Sequence, residues 1–382
     1  MQAVLDRAFV QRWPYLETCG MSVIWWRLAV LLTVFALAGG SDAIAQDRPL
    51  DAQLQTAFDK GELSGLHNVL VIRDGEILAE RHFAGIDQPR GGRWSKREHG
   101  PDTLHDMRSI TKSIVGLLYG IALAEGKVPG IAQNLLAQFP EYADLAHDPR
   151  RNATLISHAL TMRMGTAWSE GELSYLDRNN SGRRMEYAKD PVRFALDRPM
   201  VAEPGRMFVY NSGAVAVVAE LIERGVGMAI DTYAAEKLFN PLAITDYEWR
   251  RRADGSTMAY TGLRLNVHDL AKIGQLLLQR GQFGGQRIVP SAWLAASFKP
   301  WSVRKRGWNY GYLWSLIPKS WRGLPALVAG TGHGGQTLAI QLEHKLIVVI
   351  FAGNYGDANQ GKLPLKILTE FVVPSLKANL EK

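Results

Sequence analysis

Ser109-Ile110-Thr111-Lys112 sets a hydroxyl and an amine three residues apart, where a polar loop gives way to an apolar run from Ser113 to Glu125. On a helix that spacing brings both side chains to one face, with Cβ atoms about 5–6 Å apart. A serine hydroxyl needs an adjacent base before it can attack a carbonyl, and a lysine that has lost its proton is such a base. Burial against apolar side chains lowers a lysine pKa, and a neighbouring cation adds to the effect. The N-terminus of the helix points backbone N–H groups at an oxyanion forming on anything bound to Ser109. The chemistry implied is acyl transfer through a serine ester. A capping serine followed by a surface lysine would give the same four letters.

Two later segments bear on this. Pro204-Gly205 marks a turn, Phe208 to Tyr210 is a short extended piece, and Asn211-Ser212-Gly213 leads into a helical stripe of Ala214, Val218, Leu221 and Ile222. Tyr210 thus stands on a loop just before a helix, where a phenol whose pKa is pulled down by an ammonium group can relay a proton. An ordinary half-buried tyrosine fits the same letters. The third segment is Gly330-Thr331-Gly332-His333-Gly334-Gly335-Gln336. Its glycines match the letters of a dinucleotide fingerprint, but that motif must open a helix. Here an alternating strand, Thr337 to Leu342, follows, and then a second strand, Leu346 to Ala352. The glycines are read instead as opening a strand edge to substrate. His333 sits at the rim, Gly334 and Gly335 keep the edge open, and the Gln336 N–H joins that of Ser109 as oxyanion donor.

Taken in order, Ser109-x-x-Lys112, Tyr210-Asn211-Ser212 and His333-Gly334-Gly335 resemble the three motifs of the penicillin-recognising serine hydrolases. The class C β-lactamase-like group is the nearest, and within it the branch of aminohexanoate-oligomer hydrolases and esterases. Asp197 to Gly205, Gly262 to Leu265 with Asp269 to Gly274, and Tyr310 to Trp314 are similar to that branch, so the resemblance runs from about residue 65 to 375. It implies catalysis by Ser109, Lys112 and Tyr210, with Ser212, His333, Gly334 and Gly335 on the substrate side. Two positions depart from the β-lactamase pattern: Ser212 stands for an asparagine, and His333 for the lysine that helps hold the β-lactam carboxylate. Neutral imidazole holds an anion less well, which argues against efficient β-lactam hydrolysis. Ester cleavage and cleavage of short amides or D-amino-acid peptides are not separated by these letters. A non-hydrolytic penicillin-binding-like sensor is the competing class.

The elements that must position these groups follow from the pattern. Asn68 to Arg73, Asp74-Gly75 and Glu76 to Phe83 form a hairpin signal. Residues 131 to 249 read as helical segments broken by prolines, Asn266 caps a helix from Val267, and strands return from Tyr310. The fold class expected is an α/β (α+β) sandwich: one antiparallel sheet with helices on both faces plus an inserted all-helical region, β-lactamase/DD-peptidase-like. Sheet parts are placed at about 65–125 and 255–382, and the insert at about 126–254, within a single domain over 46–382. Trp308, Tyr310, Tyr312 and Trp314 alternate as on one face of a strand. His105 and Asp106 precede Ser109 without implying triad geometry.

Within 382 residues, 47% hydrophobic and 21% charged content is that of an ordinary globular chain. Met21 to Ala45 reads as a secretory signal, with Arg27 ahead of the apolar run Leu28 to Ala38 and small residues at Ala43 and Ala45. Cleavage after Ala45, a true start at Met21 and a periplasmic or secreted destination are the expectations. Cys19, the one cysteine, lies upstream of that cut, so no disulfide is expected. Residues 1–45 hold Arg7, Arg12 and Arg27 against Asp6, Glu17 and Asp42, so the net charge of +7 belongs to the remainder. Its densest runs, Arg90 to Arg97 and Arg304 to Arg306, are read as solvated loops. A small-molecule or short-peptide substrate is expected, with no nucleic-acid partner and no stable membrane insertion after cleavage. No H-E-x-x-H pairing and no G-x-S-x-G elbow occurs, so no cofactor and no catalytic metal is expected.

Overall fold

Asp74 (φ 51°) and Gly75 (φ 85°) supply the two left-handed residues that a tight two-residue hairpin turn requires. They join β1 (Leu66–Arg73) to β2 (Glu76–His82), with Arg73 opposite Glu76. A computed structural model describes residues 49–89, 92–304 and 307–378. The leader, Met21, Cys19 and the Ala45 cut lie outside these residues.

Six more strands complete the sheet: β3 (Ser302–Val303), β4 (Asn309–Tyr310), β5 (Ser315–Ile317), β6 (Leu327–Gly332), β7 (Gln336–Gln341) and β8 (Leu346–Ala352). Their order is β3-β4-β5-β6-β7-β8-β1-β2, antiparallel throughout, so the first strands of the chain close onto the last. Strand alternation explains why both faces are covered. In β8, Ile347, Val349 and Phe351 enter one apolar cluster, whereas Leu346, Val348 and Ile350 enter another. The first cluster packs under α2 (Ile110–Ala124), α3 (Ser212–Val226) and α4 (Val267–Leu278). The second packs under α1 (Pro49–Asp59) and the helical stretch 362–378. The mixed architecture with one large antiparallel sheet is the one expected.

In the insert, several prolines start helices rather than merely breaking them. Pro140, Pro149 and Pro191 occupy first helical positions, where a missing N–H costs nothing. Asp148, Asn180 and Asp190 cap by accepting from Arg150 N, Arg183 N and Arg193 N. Asn266 caps α4 by accepting from Asp269 N at 2.8 Å.

The alternating aromatics of residues 308–314 do not share a face. After β4 the chain turns, with Gly311 N donating to Trp314 O at 2.9 Å and Leu313 at φ 61°. Tyr312 stacks on Trp301, Trp314 meets Phe298 edge-on, and Trp308 meets Trp321. A turn inserted into a period-two pattern breaks its phase.

Glu80 on β2 couples the sheet to α4. It accepts from His268 Nε2 at 2.8 Å and His82 Nε2 at 3.0 Å. Burial by itself would raise its carboxyl pKa, but these two bonds outweigh that and hold it at about 2, against an ordinary 4.5. A depressed carboxyl contributes stability that is present above pH 4.5 and lost as pH falls towards 2. Glu80→Gln should therefore be less stable at neutral pH and lose less between those limits, as read from denaturant midpoints across the range.

Candidate active site

Ser109 caps α2 with helical backbone angles (φ −73°, ψ −3°) and makes no side-chain cap bond. Its hydroxyl is thereby left for Lys112, whose Nζ lies 2.9 Å away. The same Nζ donates to Tyr260 O at 2.7 Å and sits 5.2 Å from the centre of the Tyr210 ring. Lys112 is only 2% exposed. Helix α2 starts at Ile110, earlier than the apolar run indicated, and one turn of it carries both groups. Arg108, just before Ser109, holds a left-handed backbone (φ 51°) that a non-glycine residue adopts at a cost of about 1–3 kcal/mol. Its guanidinium is fixed by Gln88 O (2.6 Å), Asp106 (3.4 Å) and the Tyr355 ring (4.3 Å). Those contacts impose the turn that presents Ser109.

Tyr210 and Ser109 line the same groove, and Lys112 Nζ lies between the Ser109 hydroxyl and the Tyr210 ring. The expectation of a lowered phenol pKa is overturned. Burial, then the negative charge of Glu170, raise it well above 10, outweighing the opposing effects of Ser109 and Arg304.

Glu170 was not visible as a site residue in the sequence. It is buried and accepts from Trp168 Nε1 (2.8 Å), Tyr175 Oη (2.9 Å), Ser212 N (2.9 Å) and Ser212 Oγ (2.5 Å). Ser212 opens α3 and its hydroxyl is committed to this carboxylate. It lines the cleft as part of a polar wall rather than as a free hydroxyl.

Strand β5 covers β6 only from Leu327 to Ala329, so Gly330, Thr331 and Gly332 extend past it. A Cβ on Gly330 would lie 3.1 Å from Ile110 Cγ2, and one on Gly332 would lie 2.4 Å from Met107 O. This half of β6 is therefore pressed against the backbone that leads into Ser109. Gln336 pairs with Gly332 across the hairpin, and its side chain turns to β8, donating to Ala352 O (2.5 Å) and accepting from Ala352 N (3.0 Å). Gly334 (φ 93°) and Gly335 (φ 100°) are needed for the turn between the strands, and Gly334 N donates to Gln360 Oε1. The open edge lies upstream of them, in β6. Gly332→Val should push Met107 and Arg108 away and lower turnover of any substrate acted on at Ser109 by at least about tenfold, since small misplacements of a reacting group are costly. Steady-state kinetics on the folded variant would check this.

His333 follows β6 at the rim. Its Nε2 accepts from Gly356 N at 3.2 Å, and its ring lies 5.2 Å from that of Tyr175 and 5.9 Å from that of Tyr355. A cleft of about 230 Å³ is lined by Ser109, Lys112, Glu170, Tyr175, Ser212 and His333. It adjoins a groove of about 1170 Å³ that reaches Tyr210, Arg304, Thr331, Gly332, Gly335 and Gln336. Ser109 lines both. Arg304 is not a solvated loop cation: it donates to Ser315 Oγ at 2.8 Å and lies over Phe208, Trp308 and Tyr310.

Residues 50–365 match the family described as Beta-lactamase. A 6-aminohexanoate-dimer hydrolase of Paenarthrobacter ureafaciens is 27% identical over 237 residues, 59% of this chain and 55% of its own, so the match spans about half of that relative. Among solved structures, the octameric penicillin-binding protein homologue from Pyrococcus abyssi has a TM-score of 0.64 at 20% identity, covering 86% of this chain and 77% of its own. A family VIII carboxylesterase has a TM-score of 0.62 at 18% identity, covering 84% and 97%. At such identities the structural likeness speaks for the fold. With the match over most of its length and a sheet-and-helix frame shared with penicillin-binding homologues, this chain belongs to the Beta-lactamase family of the penicillin-recognising serine hydrolases.

Proposed function

We propose that the protein hydrolyses an ester or short amide bond through a covalent acyl-enzyme on Ser109. The observation that carries this reading is the Ser109 hydroxyl, held 2.9 Å from Lys112 Nζ in a groove that Tyr210 also lines. Ser109 Oγ adds to the carbonyl carbon as its proton passes to neutral Lys112. The oxyanion takes the Ser109 N–H and a backbone N–H from the β6 edge at Gly332, which replaces Gln336 in this role. Removing one such donor typically costs about 10²–10³ in rate. Tyr210, kept protonated by its surroundings, donates to the departing oxygen or nitrogen and is recharged from the Lys112 ammonium. Water then adds to the acyl carbonyl, giving its proton to the regenerated base, and Ser109 leaves as the hydroxyl.

His333 and Tyr175 face the leaving group across the cleft. The relative named as a 6-aminohexanoate-dimer hydrolase supports trying linear amides beside esters. Because His333 stands where a lysine would hold a β-lactam carboxylate, cephalosporin turnover should be slow. A panel of p-nitrophenyl esters, D-amino-acid amides, aminohexanoate dimers and a chromogenic cephalosporin tests the reading. The wild type should turn over at least one ester or amide, and Ser109→Ala should lose at least about 10³-fold. Equal turnover by both would refute it. The apolar run before Ala45 supports export, and N-terminal sequencing of the exported chain should begin at Gln46.

A further inference from the structure

We propose that His67, His99 and His105, with Asp87 beside them, form a structural site for one divalent transition-metal ion of the zinc type. The three imidazoles come from separate elements: His67 from β1, His99 from the loop after Ser95–Arg97, and His105 from the short strand His105–Asp106. All are buried, as is Asp87, and one ring nitrogen from each histidine lies within 4.8 Å of the others. Imidazole nitrogens select zinc and its neighbours over magnesium or calcium, which prefer oxygen.

The orientation of the donors supports the assignment. His105 Nδ1 faces Asp106 O at 3.2 Å, so the proton sits there and the Nε2 lone pair points into the cluster. An imidazole fixed through its other nitrogen in this way is the usual arrangement around a metal. That Nε2 is 2.9 Å from His67 Nδ1. Two imidazoles on a tetrahedral zinc, at about 2.0–2.1 Å each, stand about 3.3 Å apart, so a shift of a few tenths of an ångström admits the ion in place of the shared proton. The displaced proton would then sit on His67 Nε2, a buried nitrogen with no hydrogen-bond partner. His99, 4% exposed, stacks on His67 at 4.0 Å, and neither of its nitrogens has a hydrogen-bond partner. A buried imidazole with two idle nitrogens carries a cost, and a metal bond would engage one of them. Asp87 Oδ1 lies 3.9 Å from His105 Nε2 and accepts from Tyr355 Oη at 3.1 Å, which places a charge-compensating oxygen at the same spot. Gly85 and Gly353 leave room for the His67 ring, since a Cβ on either would lie 2.6 Å from it.

Such an ion would fasten the segment between β2 and Ser109 to the sheet. That segment carries Gln88 and Trp94, which wall the cleft, and Asp87 reaches Arg108 through Tyr355. The site is separate from Ser109 chemistry, and its test does not depend on hydrolysis. The full chain, purified without a polyhistidine tag, is loaded with Zn²⁺, desalted and analysed for metal. About one equivalent is expected, together with a raised melting temperature. Loading with Co²⁺ should give the intense visible absorption of a tetrahedral nitrogen site. His99→Phe keeps a flat ring in the stack and removes both nitrogens, and it should weaken binding by at least about tenfold. Retention well below one equivalent by the wild type would overturn the proposal, as would an octahedral Co²⁺ spectrum. Wild-type affinity in a folded His99→Phe variant would overturn it too.

Discussion

Lys112→Met should lower turnover of an activated ester by about 10²–10⁴-fold while leaving KM near the wild-type value. Lys112 Nζ touches Ser109 Oγ and the Tyr260 carbonyl, and its place against Ser109 supports its proposed role as the base. Methionine fills the same buried channel with similar volume and no proton acceptor, so the fold should survive. Without an acceptor, Ser109 must lose its proton to water or directly to Tyr210. The raised pKa of that phenol makes its anion scarce, and the neutral phenol is no base, so water is the acceptor that remains. Steady-state kinetics with a p-nitrophenyl ester, on protein shown to be folded, measures the effect. A KM rise with unchanged kcat would place Lys112 in substrate binding instead.

Glu170→Ala should cost about 3–5 kcal/mol of stability, the range for breaking a buried, charge-assisted network by removing one partner. Four donors converge on this carboxylate, and two of them belong to Ser212 at the start of α3. Alanine leaves Trp168, Tyr175 and Ser212 with donors facing a hole. Denaturant midpoints measure the loss. Glu170→Gln separates charge from shape: its amide N–H₂ would face donors on one side, so about half of the damage should remain. Turnover should fall in both variants even where the protein is folded, because Tyr175 and Ser212 line the cleft beside Ser109.

Groups defined by local chain geometry were legible. Ser109 and Lys112 are one helical turn apart, and the Pro204-Gly205 turn sets Tyr210 ahead of α3. The first hairpin and the pairing of early with late strands followed from turn chemistry and alternation. What escaped was set by contacts between distant segments. Glu170 lies in an aperiodic part of the insert, and nothing local marks it as buried. The phenol of Tyr210 moves upward chiefly because it is buried and then because of that carboxylate: an ammonium nearby was foreseeable, the burial and the anion were not. Gln336 and Gly332 are partners in one hairpin, so naming the edge that faces Ser109 required the register and the short reach of β5. Arg304 sits in a basic run that looks solvated, yet aromatic faces from Phe208, Trp308 and Tyr310 enclose it. The buried histidines come from three elements whose spacing in the chain matches no metal motif.

The claim that Ser109 is an activated nucleophile is tested most directly by treating the protein with an active-site-directed fluorophosphonate and locating the adduct by peptide mass spectrometry. One adduct per chain on Ser109, formed with loss of fluoride and absent from Ser109→Ala, is the predicted result. An adduct on a different serine, or undiminished hydrolysis after Ser109 is fully modified, would contradict it.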